Sequence, residues 1–223
     1  MKVGDSAELP IEPAHVTLFF EYLKEREQNE ADVYKMLRNE AQAVKACTDR
    51  KLKVKYTKTK NKAHHRSPYA VVALVNSIVE KVCVAKGLKF NPNPQSRCVW
   101  CTANRLHVTA RNLDGAIPAL ANPVLVWENK EYWGGTAGGS KMSDAVYECN
   151  LVGRELREYE EATKVKVVHI VFVDGLVQWT ARRSDLKRFV DLTNQGLIDH
   201  LLAGTEIETE LEPILNATLL SAK

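Results

Sequence analysis

The sequence predicts an α/β fold, in which a mixed central β-sheet is flanked by helices and preceded by an N-terminal helical extension. Two observations support this class. The middle of the chain carries a helix, three strand-like runs, a second helix and a further apolar strand, in the order α-β-β-β-α-β. The chain of 223 residues is 45% hydrophobic and 26% charged, as in ordinary globular proteins, and is long enough to bury a core.

The N-terminal extension, residues 1–66, combines helical and basic segments. Apolar residues at helical spacing predict a helix or a helix pair over residues 13–46, with a polar break at residues 27–30. Residues 45–66 contain nine Lys or Arg residues and one acid, Asp49. Their lysines recur at every second position, which in an extended chain places them along one face. We expect either a solvated basic loop or an arm that follows the phosphates of a nucleic acid.

The core, residues 67–223, begins with a helix. Ser67 and Pro68 suit a helix start, apolar residues then recur at helical spacing, and Gly87 suits the end. Three strand-like runs follow, over residues 97–102, 106–113 and 123–133. The short turn between the first two runs suits a hairpin.

The second half of the core alternates again between helix and strand. A helix begins at Ser140 or Ser143 and extends to about residue 162. The nearly continuous apolar run at residues 164–173 predicts a strand buried on both faces. Asp174-Gly175 is a hairpin turn signal, which predicts a partner strand. That strand is expected at residues 177–181, and two short helices at residues 184–194 and 196–202.

Charged residues on the third strand-like run are the main functional signal. Alternation along a strand places Glu128 and Lys130 on one face, with their Cα atoms about 7 Å apart. Asp114 ends the preceding run, on a strand that we expect to be adjacent. Two carboxylates on neighbouring strands are the minimum for holding a hard cation such as Mg²⁺. A lysine beside that cation can orient or deprotonate a metal-bound water for attack on a phosphodiester.

On these residues the chain resembles the PD-(D/E)XK nuclease superfamily, the fold of most type II restriction endonucleases and of several repair and recombination nucleases. The resemblance covers roughly residues 68–175 and depends on Asn112-Leu113-Asp114-Gly115 and Glu128-Asn129-Lys130. It implies that Asp114, Glu128 and the main-chain carbonyl of Asn129 bind Mg²⁺, for which Mn²⁺ can substitute. It also implies that Lys130 positions the attacking water.

Two further acids and two departures accompany the resemblance. Members of the superfamily often use an additional acid from the preceding helix, and Glu80 is the one available here. Glu148, near the start of the second helix, is a lesser candidate for a second metal ligand. Leu113 stands where the superfamily has its proline, and residues 115–122 separate the two strands.

Candidate DNA contacts lie outside this motif. The glycine-rich loop at residues 134–139 enters a helix N-terminus, which suits either a bound phosphate or a turn without a ligand. Its spacing does not match the P-loop, so nucleotide hydrolysis is not implied. An exposed pair of arginines just after the expected hairpin can also contact phosphate. The expected DNA-binding residues are Lys58, Lys60, Lys62, Arg66, Ser140, Lys141, Arg182 and Arg183.

Other classes of protein are disfavoured. The sequence has no apolar run of about 18 residues and no apolar signal core, so neither a membrane span nor secretion is expected. Its five cysteines are too few for a disulfide scaffold and fit a reducing cytoplasm. Cys98 and Cys101 lie on an expected strand and would face opposite sides, so no zinc site is expected.

The sequence therefore predicts a Mg²⁺-dependent endodeoxyribonuclease that acts on double-stranded DNA in the cytoplasm. The resemblance implies a type II restriction enzyme, which would act as a homodimer. Two alternatives stay open. One is a non-catalytic nucleic-acid-binding protein in which Glu128 and Lys130 form a surface ion pair, and the other is a nuclease for junctions or RNA that uses the same site.

Overall fold

The computed structural model describes residues 2–3, 7–8, 11–58, 65–92, 94, 96–134 and 139–220, with the backbone alone at residues 2–3, 7–8 and 139–140. Its helices are α1 (Pro13–Met36), α2 (Glu40–Asp49), α3 (Ala70–Ala85), α4 (Gly139–Thr163), α5 (Leu176–Ala181), α6 (Arg183–Asn194) and α7 (Glu206–Leu220). Its strands are β1 (Lys2–Val3), β2 (Ala7–Glu8), β3 (Arg97–Cys101), β4 (Leu106–Asn112), β5 (Gly115–Ile117), β6 (Leu125–Glu131), β7 (Val168–Asp174) and β8 (His200–Ala203).

The central sheet contains four strands in the order β5-β6-β7-β8. β5 is antiparallel to β6, whereas β6, β7 and β8 run parallel to one another. The sheet is therefore mixed and has helices on both faces, which confirms the predicted α/β class. β7 is buried along nearly its whole length, as its continuous apolar run predicts.

The two faces of this sheet carry different helices. Trp127 and Phe172 point to the face covered by α2, α3 and α7. Val126 and Val171 point to the opposite face, where α4 and α6 pack. Since side chains alternate along β6, Glu128 and Lys130 lie on the α4 side. The candidate site is therefore placed between the sheet and α4.

The expectation that the second and third strand-like runs are adjacent in one sheet is wrong. β3 and β4 form the expected hairpin, but this hairpin is a separate two-stranded sheet. The antiparallel neighbour of β6 is instead β5, a three-residue strand inside the segment that is expected only to connect two strands. Gly115 makes this pairing possible, because a Cβ there would come within 1.8 Å of the Trp127 ring.

For the end of the chain, the predicted hairpin strand and the predicted last helix are wrong, and one helix is missing from the prediction. Residues 177–181 belong to α5 rather than to a strand, and Gly175 begins this helix with a φ of 114° instead of forming a hairpin turn. Residues 200–203 form β8 rather than helix, because they pair in parallel with β7. Helix α7 was not predicted at all, although its apolar residues Ile207, Leu211 and Leu215 are buried against the sheet.

The helical part of the extension is a helix pair, as expected, but its break lies at residues 37–39. The polar residues 27–30 stay helical because Glu30 is buried and forms ion pairs with Arg183 at 3.3 Å and Lys187 at 3.2 Å on α6. The break ends at Asn39, the N-cap residue of α2, whose side chain accepts a hydrogen bond from Gln42 N–H.

The extension also packs on the core. Ala43 and Cys47 of α2 are buried in the same hydrophobic cluster as α3 and β6. Leu37 is buried in the cluster on the opposite face of the sheet. Within the described ranges, no helix is both long enough and apolar enough to cross a membrane.

Candidate active site

Glu128 and Lys130 form a buried ion pair on the central strand β6. The Lys130 ammonium donates to Glu128 Oε2 at 2.7 Å, which confirms that the two side chains share one face. Only 2% of Glu128 and 6% of Lys130 are exposed. The alternative that they form a surface ion pair is therefore wrong. Burying two charges is costly unless both are paired and hydrogen-bonded, so a pair in this position needs further partners.

Glu148 on α4 is the second partner of Lys130. Its Oε2 lies 3.2 Å from the Lys130 ammonium, and its Oε1 lies 2.7 Å from Nη1 of Arg111 on β4. Glu148 therefore joins a residue of the central strand to a residue of the separate hairpin. Sequence reasoning missed Arg111, since one basic residue on a hairpin strand carries no distinguishing signal.

Asp114 lies beside the ion pair, immediately before β5. Its N–H donates to the Trp127 carbonyl at 3.1 Å, and its Oδ2 accepts from Asn129 N–H at 2.7 Å. Strand pairing of β5 begins at Gly115, so Asn129 N–H has no β5 carbonyl opposite it. The Asp114 carboxylate takes the place of that carbonyl as hydrogen-bond acceptor. The expected proximity of Asp114 to the Glu128–Asn129–Lys130 segment is thus present.

Burial and neighbouring charges shift the pKa values of Asp114 and Lys130. Burial and the nearby Glu128 carboxylate raise the pKa of Asp114 to about 6. Burial opposes the charge on Lys130, but the Glu128 carboxylate outweighs it together with its other neighbours, so the pKa of Lys130 lies above its ordinary value. Lys130 is therefore an ammonium ion at any physiological pH.

The carboxylate oxygens of this cluster are the type of ligand that a hard cation prefers. Glu128 Oε1 is buried and has no hydrogen-bond partner among the described residues. Mg²⁺ prefers oxygen ligands and is commonly held by one or two carboxylates together with water. Among the described residues, no group of three or more His, Cys, Asp or Glu side chains has the spacing to hold a metal ion. A cation here would therefore depend on Asp114 and Glu128, with main-chain and solvent oxygens.

Glu80 is not part of this arrangement. It is exposed on α3, which packs against the opposite face of the sheet. No hydrogen bond or ion pair of the described residues connects it to the cluster. The acid that a helix contributes here is Glu148 of α4 instead.

Within the basic segment, residues 45–49 belong to α2, Arg50 and Lys51 form a turn in which Lys51 has a φ of 58°, and residues 52–58 lie outside any helix. Lys51, Lys53 and Lys55 are exposed, whereas the intervening Leu52 and Val54 are partly buried against the core. This alternation confirms that the first lysine triplet shares one face. Lys58 and Arg66 are also exposed, and Lys60 and Lys62 lie outside the described residues.

The end of this segment approaches the chain that follows β6. His65 Nε2 lies 2.8 Å from a carboxylate oxygen of Glu40. The His65 ring also packs on Gly134, where an added Cβ would come within 2.7 Å of the imidazole. The basic segment therefore meets the carboxyl end of the strand that carries Glu128 and Lys130.

The remaining residues that are predicted to contact DNA differ in their exposure and in their partners within the protein. Lys141 is exposed in the first turn of α4, and the side chain of Ser140 lies outside the described part of the chain. Arg182 is held within the protein by Asp185 and Ser143, each at 2.8 Å. Arg183 pairs with Glu30 and stacks over Tyr34, with 64% of its side chain exposed. These intramolecular partners leave Arg182 less available to phosphate than Lys141.

The two strand cysteines are placed as predicted. Cys98 is buried and Cys101 is exposed on the same strand, so their sulfurs face opposite sides. The pair therefore lacks the geometry for joint zinc ligation.

Comparison with curated proteins and with solved structures finds no match. A family model matches residues 25–218, a range that includes Asp114, Glu128, Lys130, Glu148 and Arg111. The chain thus belongs to the family described as a domain of unknown function, DUF7687.

Proposed function

We propose that the protein is a Mg²⁺-dependent endonuclease that hydrolyses phosphodiester bonds in double-stranded DNA. The observation that carries the proposal is the buried Glu128–Lys130 pair beside Asp114, in which Glu128 Oε1 has no partner. A buried carboxylate oxygen without a partner is costly, and a cation ligand would remove that cost.

Bound Mg²⁺ would polarise the scissile phosphate and lower the pKa of a water that it carries. Asp114 and Glu128 would hold it, and Asp114 must be ionised to do so. The Asn129 N–H orients the Asp114 carboxylate through its 2.7 Å hydrogen bond. Both carboxylates are thus positioned by β6: Glu128 belongs to this strand, and Asp114 is held by its backbone.

Lys130 acts as a hydrogen-bond donor in this proposal. Because the Glu128 carboxylate outweighs the effect of burial and raises its pKa, Lys130 cannot accept a proton from the attacking water. Its ammonium instead orients that water and stabilises the negative charge that develops on the phosphate. Of the two roles that the motif suggested for this lysine, the charge distribution favours positioning.

The choice of DNA as substrate is supported by the basic segment. Exposed Lys51, Lys53 and Lys55 form a row, and His65 brings the end of the segment to Gly134, just beyond β6. A row of exposed cations can bind successive phosphates of a nucleic acid. A type II restriction enzyme that cuts both strands as a homodimer is the finer form of the proposal.

The test is cleavage of supercoiled plasmid and genomic DNA with Mg²⁺ or Mn²⁺. We expect nicked and linear products with 5′-phosphate ends, and a loss of about 100-fold or more in the Glu128→Gln variant. Glu80→Gln is the matched control, because it removes an acid on the opposite face. Intact DNA with both metals, or equal cleavage by Glu128→Gln, would overturn the proposal.

A non-catalytic nucleic-acid-binding protein is the second candidate. It is favoured by the fact that Lys130 is already paired with two carboxylates, as in an ion network that serves only stability. Salt-sensitive DNA binding that is indifferent to divalent ions and to Glu128→Gln would support this candidate. Competition with junctions and RNA would separate the remaining substrates.

A further inference from the structure

Arg111 lies where the buried cluster meets solvent. The exposed fraction of the side chain rises from 7% at Lys130 to 27% at Glu148 and 37% at Arg111. These three residues are connected in that order by contacts of 3.2 and 2.7 Å. A substrate that approaches the cluster from solvent on this side would therefore meet the Arg111 guanidinium first.

Within the described part of the chain, Glu148 is the one ion-pair partner of the Arg111 side chain. A guanidinium carries five N–H donors in a planar fork. Nη1 pairs with Glu148, and Nε is buried without any partner. The planar guanidinium is weakly hydrated and suits hydrogen bonds to phosphate oxygens.

The backbone around Arg111 is held in place. Ala110 N–H donates to the Glu155 carboxylate on α4 at 3.1 Å, and Thr109 Oγ1 donates to the Arg111 carbonyl at 2.7 Å. The hairpin strand is thus fixed to the helix that supplies Glu148. Such support reduces the entropy lost when a ligand is bound.

The ion pair with Glu148 does not by itself explain Arg111. Glu148 is already paired with Lys130, and partly exposed ion pairs contribute little to stability.

We propose that Arg111 is a phosphate-binding residue, which binds a backbone phosphate of the nucleic acid at the edge of the Asp114–Glu128–Lys130 site. This inference rests on the proposed function for the identity of the ligand. Glu148 then has a positioning role, since its Oε2 contacts the Lys130 ammonium and its Oε1 contacts Nη1 of Arg111.

The test measures the affinity for a DNA duplex as a function of salt, with Ca²⁺ in place of Mg²⁺, alongside cleavage with Mg²⁺. We expect Arg111→Ala to weaken binding about tenfold and to reduce the slope of log K against log salt by about 0.9, the value for one phosphate contact. Arg111→Lys keeps the charge but not the fork, so it should retain the slope and bind more weakly. Arg105→Ala, which removes an exposed arginine from the turn of the same hairpin, should leave the slope unchanged.

The outcomes separate this inference from the proposed function. If the parent cleaves DNA and Arg111→Ala behaves like Arg105→Ala in binding, the role of Arg111 is overturned and the nuclease stands. If the parent does not cleave but Arg111→Ala loses one contact in the salt slope, the nuclease is overturned and the phosphate contact stands. A parent that neither binds nor cleaves overturns both. Thermal unfolding of each variant ensures that a change in slope reflects binding by folded protein.

Discussion

The Lys130 ammonium lies 2.7 Å from Glu128 Oε2, and both side chains are almost fully buried between the central sheet and α4. Charges in such a position stabilise each other only as a pair, because each has lost its hydration. The two residues should therefore be coupled in folding as well as in any activity. The predictions below begin from this coupling.

Removal of one member of the pair should be strongly destabilising. Lys130→Met leaves Glu128 buried without its counter-ion, and we expect a loss of about 3–5 kcal/mol in the free energy of unfolding. The double variant Glu128→Gln with Lys130→Met should lose clearly less than the sum of the single changes. Urea denaturation measures all three. The exposed pair Lys81–Glu212 is the control, and its loss should cost about 1 kcal/mol or less.

Cleavage should depend on the ionisation of Asp114. The pKa of this carboxyl is raised to about 6, so its metal-binding form declines below that pH. We expect the cleavage rate to fall about tenfold per pH unit below pH 6 and to level off above it. A rate profile from pH 5 to 8 at sub-saturating Mg²⁺ tests this, because protons and Mg²⁺ then compete for the Asp114 carboxylate. A rate that is constant down to pH 5 would contradict the role of Asp114.

The stability of the protein should fall as Glu131 ionises. This carboxylate accepts from Val71 N–H at the start of α3 and from Trp133 Nε1, yet burial raises its pKa to about 7. A folded-state pKa above the unfolded value means that stability is lost as pH rises from about 4.5 to 7. Glu131→Gln should therefore become more stable relative to the parent over this interval, by up to about 3 kcal/mol. Denaturation at several pH values would show it, and a difference that is constant with pH would refute it.

Gly115→Ala should disrupt the edge of the site. The new Cβ would come within 1.8 Å of the buried Trp127 ring, which cannot yield without disturbing the core. We expect a loss of about 1–3 kcal/mol in stability, because overpacking forces side chains and backbone to shift. We also expect weaker cleavage, since Asp114 is the adjacent residue. A variant whose melting temperature and activity match those of the parent would show that β5 can move freely.

The local pattern along β6 was sufficient to place Glu128 and Lys130 on one face. Alternation in a strand is a property of the backbone, so it can be deduced wherever the strand itself is recognised. The same holds for the lysine row at Lys51, Lys53 and Lys55 and for the opposite orientations of Cys98 and Cys101. The burial of the ion pair could not be deduced, because it depends on a helix that begins eight residues after β6.

The failures in the sequence analysis share one cause. Residues 177–181 carry β-branched and aromatic residues, but packing of Trp179 in the core makes them helical. Residues 200–203 become a strand only because β7 offers a parallel edge. Glu80 was chosen from its position in the chain, whereas the choice between Glu80 and Glu148 depends on which face of the sheet each helix covers.

The sequence by itself determined the α/β class, the strand that bears Glu128 and Lys130, and the basic character of residues 45–66. These features follow from local periodicity and composition, which do not depend on distant parts of the chain. Only the tertiary structure decided that Asp114, just before β5, accepts a hydrogen bond from Asn129 N–H. It likewise decided that Glu148 pairs with Lys130 and that Arg111 lies at the exposed end of the cluster. Those contacts join residues 15 to 37 positions apart, and their geometry is set by how helices and sheet pack rather than by any short pattern.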